Sequence, residues 1–197
     1  DVIELSDVSS KIMQLSKINA DGSSIRFENF RIDEVLFQAK TAVQKMYPND
    51  KFSLVMSDLP ENEKDLLYYG NEQLIKTALV NILENAAKYG NKSEIVIALI
   101  FKKGKDAELC ITDKGIGMDK SEVDLIFEPF YRSQNANIIK GSGIGLSLVK
   151  SIFGLHNLKY DVKSTKGRGT RFFVYFPAAK GLSETQHTET FVHEEIS

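Results

Sequence analysis

With 197 residues, 42% of them apolar, the chain can bury one sizeable core and a small appendage but not two independent globular domains. Its 25 lysines and arginines stand against 27 acidic residues, and a net charge of -2 offers no broad field for nucleic acid or anionic lipid, so no nucleic-acid partner is expected. No apolar run nears the roughly 18 residues that a membrane-spanning helix needs; residues 1–7 are acidic rather than signal-like and the single Cys110 sits in an apolar stretch that predicts a buried, inert thiol, so a cytoplasmic setting is expected, as a soluble protein or as part of a membrane-anchored one.

In chain order, residues 1–19 place Leu5, Val8, Ile12 and Leu15 at intervals of three and four, a narrow seam that suits pairing with another helix. Residues 21–24 carry turn chemistry, which predicts a boundary near residue 20, and residues 25–30 alternate like a half-buried strand. Asp33 is the expected cap of a helix through Val35, Leu36, Ala39, Val43 and Met46, ended by Pro48; residues 52–56 and 66–69 read as strands. Asn71 opens a helix whose broad apolar stripe runs through Leu74, Ile75, Ala78, Leu79, Ile82, Leu83 and Ala86 until Gly90 ends it. Strands over 94–101 and 107–112 flank an expected hairpin turn at 103–106. A helix over 144–155 and a strand pair over 160–164 and 170–176 close the fold, and the polar segment 180–197 is expected to be a flexible tail.

Three groups of residues carry chemistry. On the Asn71 helix, Asn81, Asn85 and Lys88 are spaced by four and three, so two amides and an amine share one stripe that either faces a ligand or is a solvated helix face. Asp113-Lys114-Gly115-Ile116-Gly117 ends a strand with a carboxylate and two glycines, which is either a plain turn or an acid that accepts an amino hydrogen while the backbone approaches a planar ligand. Gly141-Ser142-Gly143-Ile144-Gly145-Leu146 opens a helix where free amide hydrogens suit phosphate oxygens. The polar segment 132–140 before it reads as a lid rather than the strand that a dinucleotide fold requires.

Taken in order, Asn81-Ile82-Leu83-Glu84-Asn85-Ala86-Ala87-Lys88-Tyr89, the Asp113 and Gly141 motifs, Phe127-Glu128-Pro129-Phe130-Tyr131-Arg132, and Gly167-Arg168-Gly169-Thr170 resemble the N, glycine and F boxes of the sensor histidine kinase ATP-binding domain, of the GHKL or Bergerat-fold superfamily. The resemblance covers about 21–178 and implies an α+β fold: a two-layer sandwich of a mixed sheet with three main helices on one face. The expected organisation is the end of a dimerisation-hairpin helix over 1–20, the catalytic domain over 21–179 and the tail over 180–197.

That resemblance implies Mg-ATP as the ligand, with Asn85 on Mg²⁺, Asp113 accepting the adenine amino group and Tyr89 walling the adenine. Lys88 and Arg132 look like phosphate contacts and Asn81 like a second polar group near the metal; Gly115, Gly117, Lys140, Gly141, Gly143, Ile144, Gly145, Leu146 and Thr170 complete the expected nucleotide contacts. Glu84 either polarises a nucleophile or makes a helix-surface salt bridge. The implied partners are a histidine-bearing dimerisation hairpin, a response-regulator receiver domain and, in the full-length protein, a second copy. Among the histidines, His156 reads as a packing residue, and His193-Glu194 lacks the hairpin context of a phospho-acceptor. Hydrolytic relatives such as gyrase usually carry a glutamate where this chain has Asn81, an amide that is no base. A hydrolytic ATPase and a nucleotide-regulated scaffold remain the rivals. Leu158 and Lys159 stand where the family often has a glycine after His-Asn, so a different turn is expected there.

Overall fold

The computed structural model describes residues 2–20, 25–102, 106–133 and 141–177. The expected turn at 21–24, residues 103–105 of the expected turn at 103–106, most of the expected lid including Lys140, and the expected tail with His187 and His193 lie outside those residues.

The apolar periodicity produces four α-helices among the described residues, α1 (Val2–Ala20), α2 (Ile32–Met46), α3 (Glu72–Tyr89) and α4 (Gly145–Leu155), and seven strands, β1 (Glu28–Arg31), β2 (Phe52–Ser57), β3 (Leu67–Gly70), β4 (Ile95–Ile100), β5 (Ala107–Thr112), β6 (Lys159–Thr165) and β7 (Gly169–Phe176). Five strands form one mixed sheet in the order β2-β4-β5-β7-β6, in which β2 and β4 run parallel and the other neighbours antiparallel. Alternation sends Ile95, Ile97, Leu99, Leu109, Ile111, Phe172, Val174 and Phe176 to the buried face. There α2, α3 and α4 lie side by side, which is the two-layer arrangement expected. The same alternation turns Cys110 away from the core. Its thiol is half-buried beside the Thr112 hydroxyl, 3.5 Å away, not in the interior as expected.

One strand pair stands apart from the main sheet, and one helix start differs from expectation. β1 and β3 do not join the main sheet; they pair as a separate antiparallel ribbon from Glu28↔Gly70 to Arg31↔Leu67. Each of these strands runs straight into a helix, so the ribbon clamps the starts of α2 and α3 together. Asp33 is not the cap of α2. The cap position is Arg31, without a side-chain cap, and the Asp33 carboxylate instead takes the Arg31 guanidinium at 2.9 Å while adding negative charge to the first helical turn. The α3 cap is as expected, with Asn71 Oδ1 accepting the Leu74 N–H at 2.9 Å. Gly90 does follow α3, but with φ -73° rather than the left-handed value of a glycine cap.

The turn after α4 shows how the missing glycine is replaced. Asn157 takes φ 51°, its N–H donates to Gly154 O at 3.1 Å, and Leu158 N–H donates to Phe153 O at 2.9 Å, a Schellman cap built on asparagine. Leu158 is buried by the same geometry. Helix α1 does not leave its whole seam for a partner: Ile18 is buried in the main core and Leu15 packs against it, whereas Ile12 stays exposed.

Candidate functional site

A cleft opens between α3 and the start of α4, floored by β5 and β7. The α3 stripe faces it: Asn81, Glu84, Asn85 and Lys88 all line the wall, so the stripe is not a solvated helix face. Asn81 is only 4% exposed, its Nδ2 donates to Thr77 O at 2.8 Å, and its Oδ1 lies 2.7 Å from where a side chain on Gly145 would begin. Its amide therefore lies against the start of α4, where only a glycine leaves room for it, as well as facing the cleft. One turn on, the half-buried Asn85 amide makes no hydrogen bond among the described residues. Lys88 Nζ lies 3.4 Å from Glu84 Oε2, with the carboxylate side chain 16% exposed, so the ion pair expected at a helix surface lies in the cleft wall.

Asp113 follows β5, buried at 8% exposure, in the cleft wall across from that stripe. Its Oδ1 accepts the Gly115 N–H at 2.8 Å. Burial pushes its carboxyl above the usual carboxylate range, and the backbone N–H groups of Gly115 and Thr170 pull in the opposite direction. Gly115 works from behind the wall: a Cβ there would sit 1.8 Å from the Tyr89 carbonyl, so only glycine lets the loop reach α3, where Ile116 N–H donates to that carbonyl at 3.1 Å. Tyr89, Gly117 and Thr170 line the cleft beside Asp113.

On the opposite rim, Phe127 is buried against Tyr160 and Phe172, anchoring a segment that then exposes Phe130 with φ 64°. The Phe130 N–H donates to Gly143 O at 3.0 Å, and Gly143, at φ 71°, has no room for a Cβ against the Phe130 backbone 2.8 Å away. Arg132, Gly141, Gly143, Gly145 and Leu146 are thereby brought to the cleft. The Ile144 side chain does not line the cleft: it is 1% exposed and turned inside. No side chain caps the start of α4, which leaves its first-turn N–H groups facing that rim.

Residues that the motifs did not single out complete the cleft. Ile111 and Phe172 form its apolar floor with Ile82, Ile116, Met118, Ile126 and Val162; Ile111 is two residues before Asp113 on the same strand side, a signal that alternation carried. Tyr131, Ser133 and Lys11 also reach it. Lys11 comes from α1 and lies outside the apolar seam of that helix. His156 is buried away from this cleft, as its packing role predicted. No cluster of three or more histidine, cysteine or acidic side chains suited to a metal occurs among the described residues.

Known proteins share this framework. Residues 70–180 match the family described as histidine kinase-, DNA gyrase B-, and HSP90-like ATPase. The chain is 28% identical over 187 residues to the sensor-like histidine kinase SenX3 of Mycobacterium tuberculosis, covering 94% of this chain and 44% of that protein. It is 31% identical over 173 residues to the heme sensor protein HssS of Staphylococcus saprophyticus, covering 88% of this chain and 36% of that one. The chain thus spans less than half the length of these curated relatives. Among solved structures, the mycobacterial sensor histidine kinase MprB superposes with a TM-score of 0.66 at 26% identity, covering 78% of this chain and 98% of that one. Full-length ShkA in complex with AMPPNP superposes with a TM-score of 0.71 at 19% identity, covering 88% of this chain and 36% of that one, a likeness of fold. The cleft, its glycine-lined rims and these matches lead to one conclusion: the chain belongs to the histidine kinase-, DNA gyrase B- and HSP90-like ATPase family.

Proposed function

We propose that this domain binds Mg-ATP and is the catalytic part of a two-component sensor histidine kinase, passing the γ-phosphoryl group to a histidine on a dimerisation hairpin. The observation that carries this reading is the buried Asp113 carboxylate, anchored by Gly115, across the cleft from an α3 wall that ends beside an uncapped helix start. Asp113 accepts the exocyclic amino hydrogen of adenine, and Tyr89, Ile111 and Phe172 supply an apolar slot for the ring. The phosphates then extend along α3 from Lys88 toward Gly145, and Lys88, Arg132 and the first-turn N–H groups of α4 offset their charge.

The residues fit a magnesium ion of the kind that keeps most of its water. The Asn85 amide oxygen, with no competing bond among the described residues, would hold such an ion together with the phosphates of the nucleotide. Bound there, Mg²⁺ supplies charge neutralisation and orientation of the phosphates. In the transfer, the acceptor imidazole nitrogen attacks the γ-phosphorus, the bond to the β,γ-bridging oxygen breaks, and ADP leaves. The phosphoryl group then passes to a response-regulator receiver domain, with the full-length kinase acting as a homodimer on the cytoplasmic side of a membrane. No helix among the described residues is long and apolar enough to cross a bilayer.

Incubating the chain with labelled ATP, Mg²⁺ and a complete histidine-bearing hairpin supplied separately should give acid-labile phosphohistidine on the hairpin. Failure to label any such hairpin, with ATP binding intact, would favour the hydrolytic reading, which has one observation behind it: Glu84 lies in the cleft wall. Two features weigh against it. The Asn81 position holds an amide, and the Glu84 carboxylate is engaged by Lys88. A Glu84→Gln variant that lost a substantial basal phosphate release would favour hydrolysis over transfer.

A further inference from the structure

Helix α1 contributes one side chain to the cleft, and its position follows from how the helix is seated. Lys11, Leu15 and Ile18 stand at i, i+4 and i+7 and share one helix face. Leu15 and Ile18 pack into the core, and α1 lies along α4. The same seating brings Lys11, one turn before Leu15, into the cleft wall, where it is half-buried.

The end of the cleft that Lys11 serves is set by α4. Asn81 touches Gly145 at the start of α4, whereas Tyr89 touches the loop after Asp113. These two α3 residues are eight positions apart, about 12 Å along the axis. Of α4, only its first two residues, Gly145 and Leu146, line the cleft, so a helix that lies along α4 and also lines the cleft meets it at the Asn81 end. There a triphosphate places the phosphate that a diphosphate lacks, whereas Lys88 stands beside Tyr89, seven positions from Asn81.

We propose that Lys11 is a ligand for the terminal phosphate of a bound nucleoside triphosphate, so that α1 in its docked position distinguishes triphosphate from diphosphate. This rests on the Mg-ATP reading of the cleft. Linkage makes the effect reciprocal: whatever factor docked α1 adds to triphosphate affinity, the triphosphate adds to the docking of α1. The helix that leads into the domain then reports which nucleotide the cleft holds.

Calorimetric titration of ATP and ADP, each with Mg²⁺, tests this on the wild type, Lys11→Met, Lys11→Arg and Lys17→Ala. Lys17 is exposed on the last turn of α1, so its loss removes the same charge outside the cleft. Loss of a charge-assisted bond predicts about tenfold weaker ATP binding in Lys11→Met and no more than about a twofold change for ADP. Lys11→Arg should keep the preference for ATP, and Lys17→Ala should leave both affinities unchanged. The proposal is overturned if Lys11→Met and Lys11→Arg both bind ATP as the wild type does, or if Lys11→Met weakens ATP and ADP equally. A wild type that binds neither nucleotide would overturn the reading of the cleft and this proposal together, an outcome distinct from ATP binding that is indifferent to Lys11.

Discussion

Asp113 carries a conflict between stability and binding that a single substitution can separate. Its folded pKa is raised by burial, so the ionised form is disfavoured in the native state. Its contribution to stability is therefore complete below the ordinary carboxylate value and is lost as pH rises through the raised folded value. At neutral pH the buried charge is a net cost to the nucleotide-free domain. In Asp113→Asn the side-chain oxygen can keep the Gly115 hydrogen bond, but an NH₂ group replaces the second acceptor and meets the adenine amino group donor to donor. We predict an unchanged or raised unfolding temperature at pH 7, together with ATP affinity weakened about 10–100-fold, the scale of a lost hydrogen bond to a charged group. Thermal denaturation and calorimetric titration on one preparation measure both; parallel loss of stability and binding would make Asp113 a structural residue only. The motif alone leaves Asp113 open between a plain turn and a ligand contact, and it is the resemblance to the family that singles this residue out. The placement of the Lys88–Glu84 pair in the cleft wall and the inward packing of Ile144 could not be read from the sequence, since helix spacing allows the pair without saying what it faces and a glycine motif does not say which way its non-glycine member turns.

At the scale of elements, His156 joins pieces that the sequence presents separately. At the C-terminal cap of α4, its Nδ1 donates to Ile152 O at 2.7 Å, while its Nε2 accepts the Asn71 N–H at 3.0 Å at the start of α3. The ring also stacks on Phe27 at 4.7 Å. This pattern requires the neutral imidazole, and burial lowers its pKa. The sign follows from linkage: the stabilisation is complete above the ordinary value of about 6.5 and is lost as pH falls from there through the depressed folded value. Denaturation at pH 5 to 8 should show constant stability above about pH 7 and a decline below about 6.5. His156→Gln should cost about 1–3 kcal/mol at pH 7.5, because one of two buried groups loses its partner, and should flatten that decline. An equal decline in the variant would assign the pH dependence to other groups. The helices themselves could be read from their stripes and, for α3, from its cap. The β1–β3 ribbon could not, because four-residue strands carry too little periodicity to declare a partner.

For the molecule as a whole, the cleft is assembled from α1, α3, β5, β6, β7 and the segments on both sides of 134–140, so one ligand touches elements far apart in sequence. A ligand that binds only this assembled state stabilises the entire fold by mass action. At one hundred times its dissociation constant, Mg-ATP should add about 2.7 kcal/mol, which for a domain of this size raises the unfolding temperature by about 5–10 °C. The metal part of that shift can be isolated. Mg²⁺ alone should give no shift, since the described residues hold no cluster of metal-binding side chains and one amide oxygen is a weak site. Chelation of Mg²⁺ should reduce the ATP shift to that of the metal-free nucleotide, and Asn85→Ala should reduce it to the same level with Mg²⁺ present. Because the Asn85 amide makes no hydrogen bond among the described residues, its removal should leave the nucleotide-free unfolding temperature within about 2 °C of the wild type, as expected of a substitution that breaks no internal contact. Differential scanning calorimetry over these conditions distinguishes a metal ligand from a structural residue: a lowered baseline with an intact Mg²⁺-dependent shift would place Asn85 in the scaffold and move the ion elsewhere along the α3 wall.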